Sequence, residues 1–342
     1  MKVLVTGHQG YLGTVMVPVL QAAGHDVTGL DSGLFEQCVL GPAPLDPPGI
    51  EQDLRDVSVT QLAGFDAVVH LAALSNDPLG ALAPEITYAI NHRGSVRLAR
   101  LAKEAGVRRF LYASTCSVYG AADDGLVNED TALRPLTPYA ESKVRVEDDV
   151  AAIADDWFSP VFLRNATAFG FSPRLRADIV VNNLVAHAVL TGVVRVLSDG
   201  TPWRPLVHAQ DIAVAFLTAL EAPIHKIHCA AFNVGTETNN LTVAEIAEAV
   251  VGAVPSSHLL ITGETGPDPR SYRVDFSRFR DTLGYEATWS VADGATQLYR
   301  AYLAYGLNQH DFAHKFTRLP HLDALRSAGL LDESMRWIRT AA

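Results

Sequence analysis

Three glycines, Gly7, Gly10 and Gly13, stand directly behind the apolar run Val3-Leu4-Val5-Thr6, and they leave few folds open to this chain. The run has the content of a short buried strand. Tyr11 to Ala23 carries apolar residues at helical spacing and is closed by Gly24. Each glycine between strand and helix has its own role. Gly7 permits the tight turn, Gly10 lets backbone approach a diphosphate, and Gly13 lets helix and strand pack closely. The free N–H groups of the helix N-terminus then face that diphosphate. Gly7, Gln9, Gly10, Tyr11, Leu12 and Gly13 are therefore expected to contact a nucleotide cofactor.

The alternation continues. Strand-like runs at Val27–Asp31, Asp66–Leu71, Arg109–Ser114 and Val161–Arg164 are separated by amphipathic stretches at Asn91–Ala105 and Pro138–Ala154. Short apolar strands alternating with helices predict an α/β fold, a doubly wound parallel Rossmann sheet covered by helices on both faces. After Phe169 the pattern loosens. We expect residues 1–170 with about 205–235 to form the sheet domain. Residues 171–204 and 236–306 are expected to form a smaller, interleaved substrate domain, which contains a helix capped by Thr242 and Glu245. Residues 307–342, with Leu322, Leu325, Leu330 and Leu331, read as a helical tail.

Asp31 ends the second strand, where a carboxylate can accept from an adenosine ribose and would repel a 2′-phosphate. Ser32 follows it, and no Arg stands nearby to bind such a phosphate, so NAD is expected rather than NADP. Asp53 and Leu54, at the next strand end, could reach the adenine or could form a plain surface turn. The net charge of −11 offers no basic surplus for nucleic acid or an anionic membrane. An anionic ligand must then be held by a few placed arginines. Three cysteines without metal spacing, no charged leader and no bilayer-length apolar run predict a cytoplasmic protein without a metal. His310 and His314 share a helical face but lack an identifiable third ligand.

Tyr139 and Lys143 are four residues apart at a helix start and so point to one face. A phenol with a pKa of about 10 is a poor base at neutral pH, and a nearby ammonium must stabilise the phenolate. One element earlier, Ser114-Thr115-Cys116-Ser117 brings hydroxyls to the mouth of the sheet, where open α/β folds bind ligands.

These motifs, with His70-Leu71-Ala72-Ala73, Asn91 and Arg204 to Asp211, resemble the extended short-chain dehydrogenase/reductase family, the nucleotide-sugar epimerases and dehydratases, from residue 1 to about 306. The resemblance implies that Thr115 hydrogen-bonds the sugar oxygen, Tyr139 is the base and Lys143 its electrostatic partner. Leu71, Ala72, Ala73 and Asn91 would serve the cofactor, while Ser75, Ser117, Thr167, Asn183, Leu184, Arg204 and Arg270 would meet a nucleoside-diphosphate sugar. Thr167 stands where many relatives have Asn. The family also implies a homodimer through helices 91–105 and 138–154.

Dehydratases of this family carry Asp-Glu directly after the Thr, and here Cys116 and Ser117 occupy those positions. The 3,5-epimerases place a Cys one residue later than Cys116, and neighbouring positions at a strand end face opposite ways. The remaining chemistry is reversible oxidation of one carbinol, C4 first, with hydride return to the other face. A nucleotide-sugar ketoreductase or dehydrogenase would use the same residues. A protein that only senses NAD is the third reading, and degenerate relatives of that kind usually lose the Tyr or the Lys.

Overall fold

The apolar runs become strands that are buried on both faces, as parallel strands require. In the computed structural model, which describes residues 1–75, 83–121, 125–264 and 271–338, seven of them form one parallel sheet. We number them β1 (Lys2–Thr6), β2 (Asp26–Asp31), β3 (Gly49–Glu51), β4 (Ala67–His70), β5 (Arg109–Thr115), β6 (Ser159–Asn165) and, after three short strands outside this sheet, β10 (Ala230–Val234). Their spatial order is β10-β6-β5-β4-β1-β2-β3. The chain first runs outward from β1 to β3, then crosses back and builds the other side from β4. The direction of winding thus reverses between β1 and β4, and a crevice opens at their carboxyl ends.

Strand alternation sorts side chains to two cores. Val3, Val5, Val69 and Leu111 pack with helices α1 (Gly13–Ala22) and α5 (Ala209–Glu221). Leu4, Val68, Phe110 and Tyr112 pack with α2 (Ser95–Glu104) and α3 (Pro138–Ala151). At the first turn, Gly7 has φ +76°, and a Cβ there would stand 2.8 Å from the Ala72 nitrogen. A Cβ on Gly13 would stand 2.2 Å from the Gly7 carbonyl oxygen. Both positions require glycine.

A separate core gathers α4 (Val180–Thr191), α6 (Val243–Ala253) and α7 (Val291–Ala304) with the short strands β7 (Thr167–Phe169), β8 (Val193–Val196) and β9 (Trp203–His208). β9 pairs parallel with β7 and antiparallel with β11 (Asn240–Thr242). The Thr242–Glu245 capping box closes the start of α6.

Three expectations change. The helix assigned from Asn91 begins earlier, as a π-helical turn over Tyr88–Gly94 that leads into α2. Cys116–Tyr119 is a 3-10 turn rather than a strand end. The tail forms α8 (Gln309–His314) and α9 (Arg318–Ser327), but the helical pattern does not reach Leu330 and Leu331. Gly329, at φ +69°, ends α9, with Leu330 N–H donating to the Leu325 carbonyl in a Schellman closure. Beyond it the chain turns back on itself around Met335, with a bridge from Leu331 to Trp337.

Candidate active site

The crevice between β1 and β4 opens into a cavity of about 640 Å³, a size suited to a cofactor with its substrate. Gly7, Gly10, Tyr11, Leu12 and Gly13 form its floor, and Leu71, Ala72 and Ala73 one wall. At the end of β2, Asp31 accepts from the backbone N–H of Gln9 at 2.9 Å and of Gly33 at 3.0 Å. Burial raises its pKa, against the pull of these donors and of His8 and Arg174. Ser32, Asp53 and Leu54 also line this end. Asp53 already accepts from the Arg55 backbone at 2.8 Å and its Nε at 2.9 Å. The glycine floor and a carboxylate at the end of β2 fit the diphosphate and ribose of a dinucleotide.

Two expected cofactor residues stand outside the lining. The Gln9 side chain turns to Asp46 at 3.0 Å, and Asp46 is in turn gripped by both Nη atoms of Arg174 at 2.8 Å. Asn91, in the π turn, clamps the backbone of Leu74: its Oδ1 accepts at 2.8 Å and its Nδ2 donates at 2.9 Å. Its place is behind the wall, holding Leu74 in position.

Thr115, Ser117, Tyr139 and Lys143 meet at the other end of the cavity. Thr137 caps α3 by accepting from Ala140 N–H, and Pro138 opens the helix. Tyr139 and Lys143 then project one turn apart from a fixed helix end. Lys143 is only 2% exposed; its ammonium donates to the Ala113 carbonyl at 2.7 Å and lies 5.6 Å from the Tyr139 ring centroid. Burial brings its pKa down to about 7, with the Glu147 carboxylate pulling the other way. Glu147 pairs with Arg164 at 2.6 Å and accepts from Ser114 at 2.5 Å. His70 is held between Thr6 and Ser95. Burial lowers its pKa to about 3 and keeps it neutral, and the Lys143 charge acts in the same direction. Thr115 Oγ1 accepts from Ser117 N–H at 3.1 Å. Cys116 turns away, its Sγ donating to the Arg164 carbonyl at 3.1 Å. Adjacent residues therefore face opposite ways, through a 3-10 turn rather than through strand alternation.

On the substrate side, Ser75, Thr167 and Arg204 line the cavity. Asn183 and Leu184 do not. The Asn183 amide donates to the Ala177 carbonyl at 3.1 Å, and Leu184 is buried in the separate core. Ile179 and Val180, at the start of α4, face the space instead. Arg270 lies outside the described residues. The structure adds residues that had no local signal. Arg176 reaches Asp178 at 2.8 Å and Ser75 Oγ at 2.9 Å. Asn165, opposite Thr115 on β6, lines the cavity, and its buried Oδ1 has no hydrogen-bond partner among the described residues. Arg318 arrives from the tail. Among the described residues, the carboxylates lining the cavity are Asp31, Asp53 and Asp178, and no group of three or more His, Cys, Asp or Glu side chains is placed to hold a metal.

The profile of the NAD dependent epimerase/dehydratase family matches residues 3–235. A UDP-glucose 4-epimerase of Mycolicibacterium smegmatis is 31% identical over an alignment of 310 residues that covers 86% of this chain and 96% of that one. A dTDP-glucose 4,6-dehydratase of Actinoplanes sp. is 29% identical, covering 89% and 98%. The solved structure of MoeE5 in complex with UDP-glucuronic acid and NAD superposes with a TM-score of 0.75 at 29% identity, over 89% of this chain and 99% of that one.

Proposed function

The chain belongs to the NAD-dependent epimerase/dehydratase family, and within it we propose a nucleotide-sugar epimerase that inverts a sugar carbinol, C4 first, by transient oxidation. The observation that carries this reading is the surroundings of Thr115. Cys116 points into the protein, Ser117 faces the cavity, and neither is a carboxylate. Asp178 is held by Arg176. Loss of water needs an acid and a base beside the sugar; inversion needs only a group that removes and returns one proton.

In this reading Thr115 orients the sugar hydroxyl and Tyr139 takes its proton. The Lys143 ammonium favours the phenolate that does so. NAD, held by the glycine turn and Asp31, would supply the hydride acceptor and donor that the inversion needs. Arg204 and Arg270 hold the sugar-nucleotide diphosphate, with Ser75, Ser117, Thr167 and the start of α4 shaping the sugar's place. Asp31 and the glycine turn hold the cofactor. We assign the sheet to a cofactor domain and the separate core to a substrate domain, in a cytoplasmic homodimer paired through α2 and α3. The names of the relatives make a UDP-hexose the first substrate to try.

Purified protein, offered UDP-, dTDP- and GDP-hexoses without added cofactor, should form the epimer of one of them. Tyr139→Phe should lower that rate by about a hundredfold or more while its NAD stays bound. A normal rate in this variant would remove Tyr139 from the mechanism. Turnover only with added NADH or NADPH would favour a ketoreductase, and no turnover on any sugar nucleotide a binding protein.

A further inference from the structure

One charged group in the cavity is not used by the chemistry above. Arg318 is 4% exposed, its guanidinium stands 4.1 Å over the Phe35 ring, and its Nη1 has no hydrogen-bond partner among the described residues. A buried guanidinium nitrogen without an acceptor is costly, and native structures seldom keep one without a use. Asp178, the carboxylate beside it, does not reach Nη1: one oxygen accepts from Arg176 Nε at 2.8 Å and the other from the Arg318 backbone at 3.4 Å. A ligand oxygen would satisfy this nitrogen, and a guanidinium edge matches a phosphate.

The position of Arg318 selects the phosphate. Phe35 lies four residues beyond Asp31 on the loop that leaves β2, at the cofactor end of the cavity, whereas Thr167 and Arg204 mark the sugar end. The rest of the tail grips the same end. The Trp337 indole N–H donates to the Ser32 carbonyl at 2.5 Å, and His321 Nε2 donates to the Leu34 carbonyl at 2.9 Å. Arg55 donates to the Ser334 carbonyl at 3.0 Å, and Arg336 pairs with Asp56. Leu322, Leu331 and Met335 bury against Leu34 and Leu74. Both loops that face an adenosine, after β2 and after β3, are thus tied to the tail.

We propose that Arg318 donates to the diphosphate of bound NAD and that residues 317–338 form a strap across the cofactor's adenosine end, so that NAD leaves only when the strap lifts. The inference rests on NAD as the cofactor and not on epimerisation, so either reading can fail alone.

The test compares full-length wild type with Arg318→Met, Arg318→Lys and Arg336→Ala, each checked for folding by circular dichroism. NAD per chain is measured after purification, and bound NAD is exchanged against labelled NAD. Binding of UDP serves as the probe of the substrate diphosphate site. Losing one charge-assisted hydrogen bond should speed NAD release about ten- to a hundredfold in Arg318→Met. Arg318→Lys should fall between, and UDP binding should not change. Arg336→Ala, which cuts the ties of the tail to Asp56 and Asp53, should exchange NAD severalfold faster at full occupancy. Wild-type exchange in folded Arg318→Met overturns the assignment, as does weakened UDP binding with NAD retained. If Arg318→Met does not fold, Arg318→Lys and Arg336→Ala exchanging at the wild-type rate overturn it.

Discussion

At the scale of single residues, Lys143 carries the sharpest consequence. Its folded pKa of about 7 lies below the value of about 10.4 it has in an unfolded chain. Between those values the unfolded chain holds a proton that the folded chain has lost, so raising the pH favours folding. Cofactor-free protein should therefore gain stability, on the order of a few kcal/mol, as pH rises from about 7 toward 10. In Lys143→Met that slope should vanish, and below pH 7 the variant should melt above wild type. Thermal melts across pH decide this; equal slopes in the two proteins would mean that Lys143 keeps its proton. The Tyr139–Lys143 pair was legible in the sequence because one helical turn sets its spacing. Arg176, Asn165 and Arg318 were not, because the chain brings them to the cavity from elements remote in sequence. Asn183 shows the reverse error: the motif is present, but the first turn of α4 directs its amide to Ala177.

At the scale of elements, the first strand, turn and helix act as one unit. Gly13→Ala would drive a methyl toward the Gly7 carbonyl oxygen, only 2.2 Å from the ideal Cβ position. The backbone must yield, and overpacking of this kind costs roughly 1–3 kcal/mol. Because the displaced atoms are those that would cradle a diphosphate, NAD should be lost as well. Gly24→Ala supplies the control: its Cβ would meet nothing within 4 Å, though its φ of +85° still strains the backbone. Protein that loses stability at Gly13 and keeps NAD at full occupancy would separate the turn from cofactor binding. The strands and this turn were readable because parallel strands are apolar throughout and glycines punctuate them. The 3-10 turn at Cys116–Tyr119 and the π turn at Tyr88–Gly94 were not, since tertiary contacts of Arg164 and Leu74 stabilise them.

At the scale of the whole molecule, the sheet, the separate core and the tail enclose one cavity. Of the tail's two helices, α9 matches the spacing of Leu322 and Leu325, but the return of the tail over the cofactor loops was not legible, because single side chains such as Trp337 and His321 make those contacts. Among the described residues no helix is long and apolar enough to cross a membrane. Enclosure suits a reaction that starts and ends with the same oxidation state of the cofactor. The most direct measurement uses a nucleotide hexose bearing deuterium on the carbinol carbon that inverts, incubated in ordinary water with unlabelled free NAD. Return of the hydride within one cavity predicts epimer that keeps the deuterium at the inverted carbon, with none in water or in free NADH. Deuterium lost to water, or carried off on free cofactor, would contradict it.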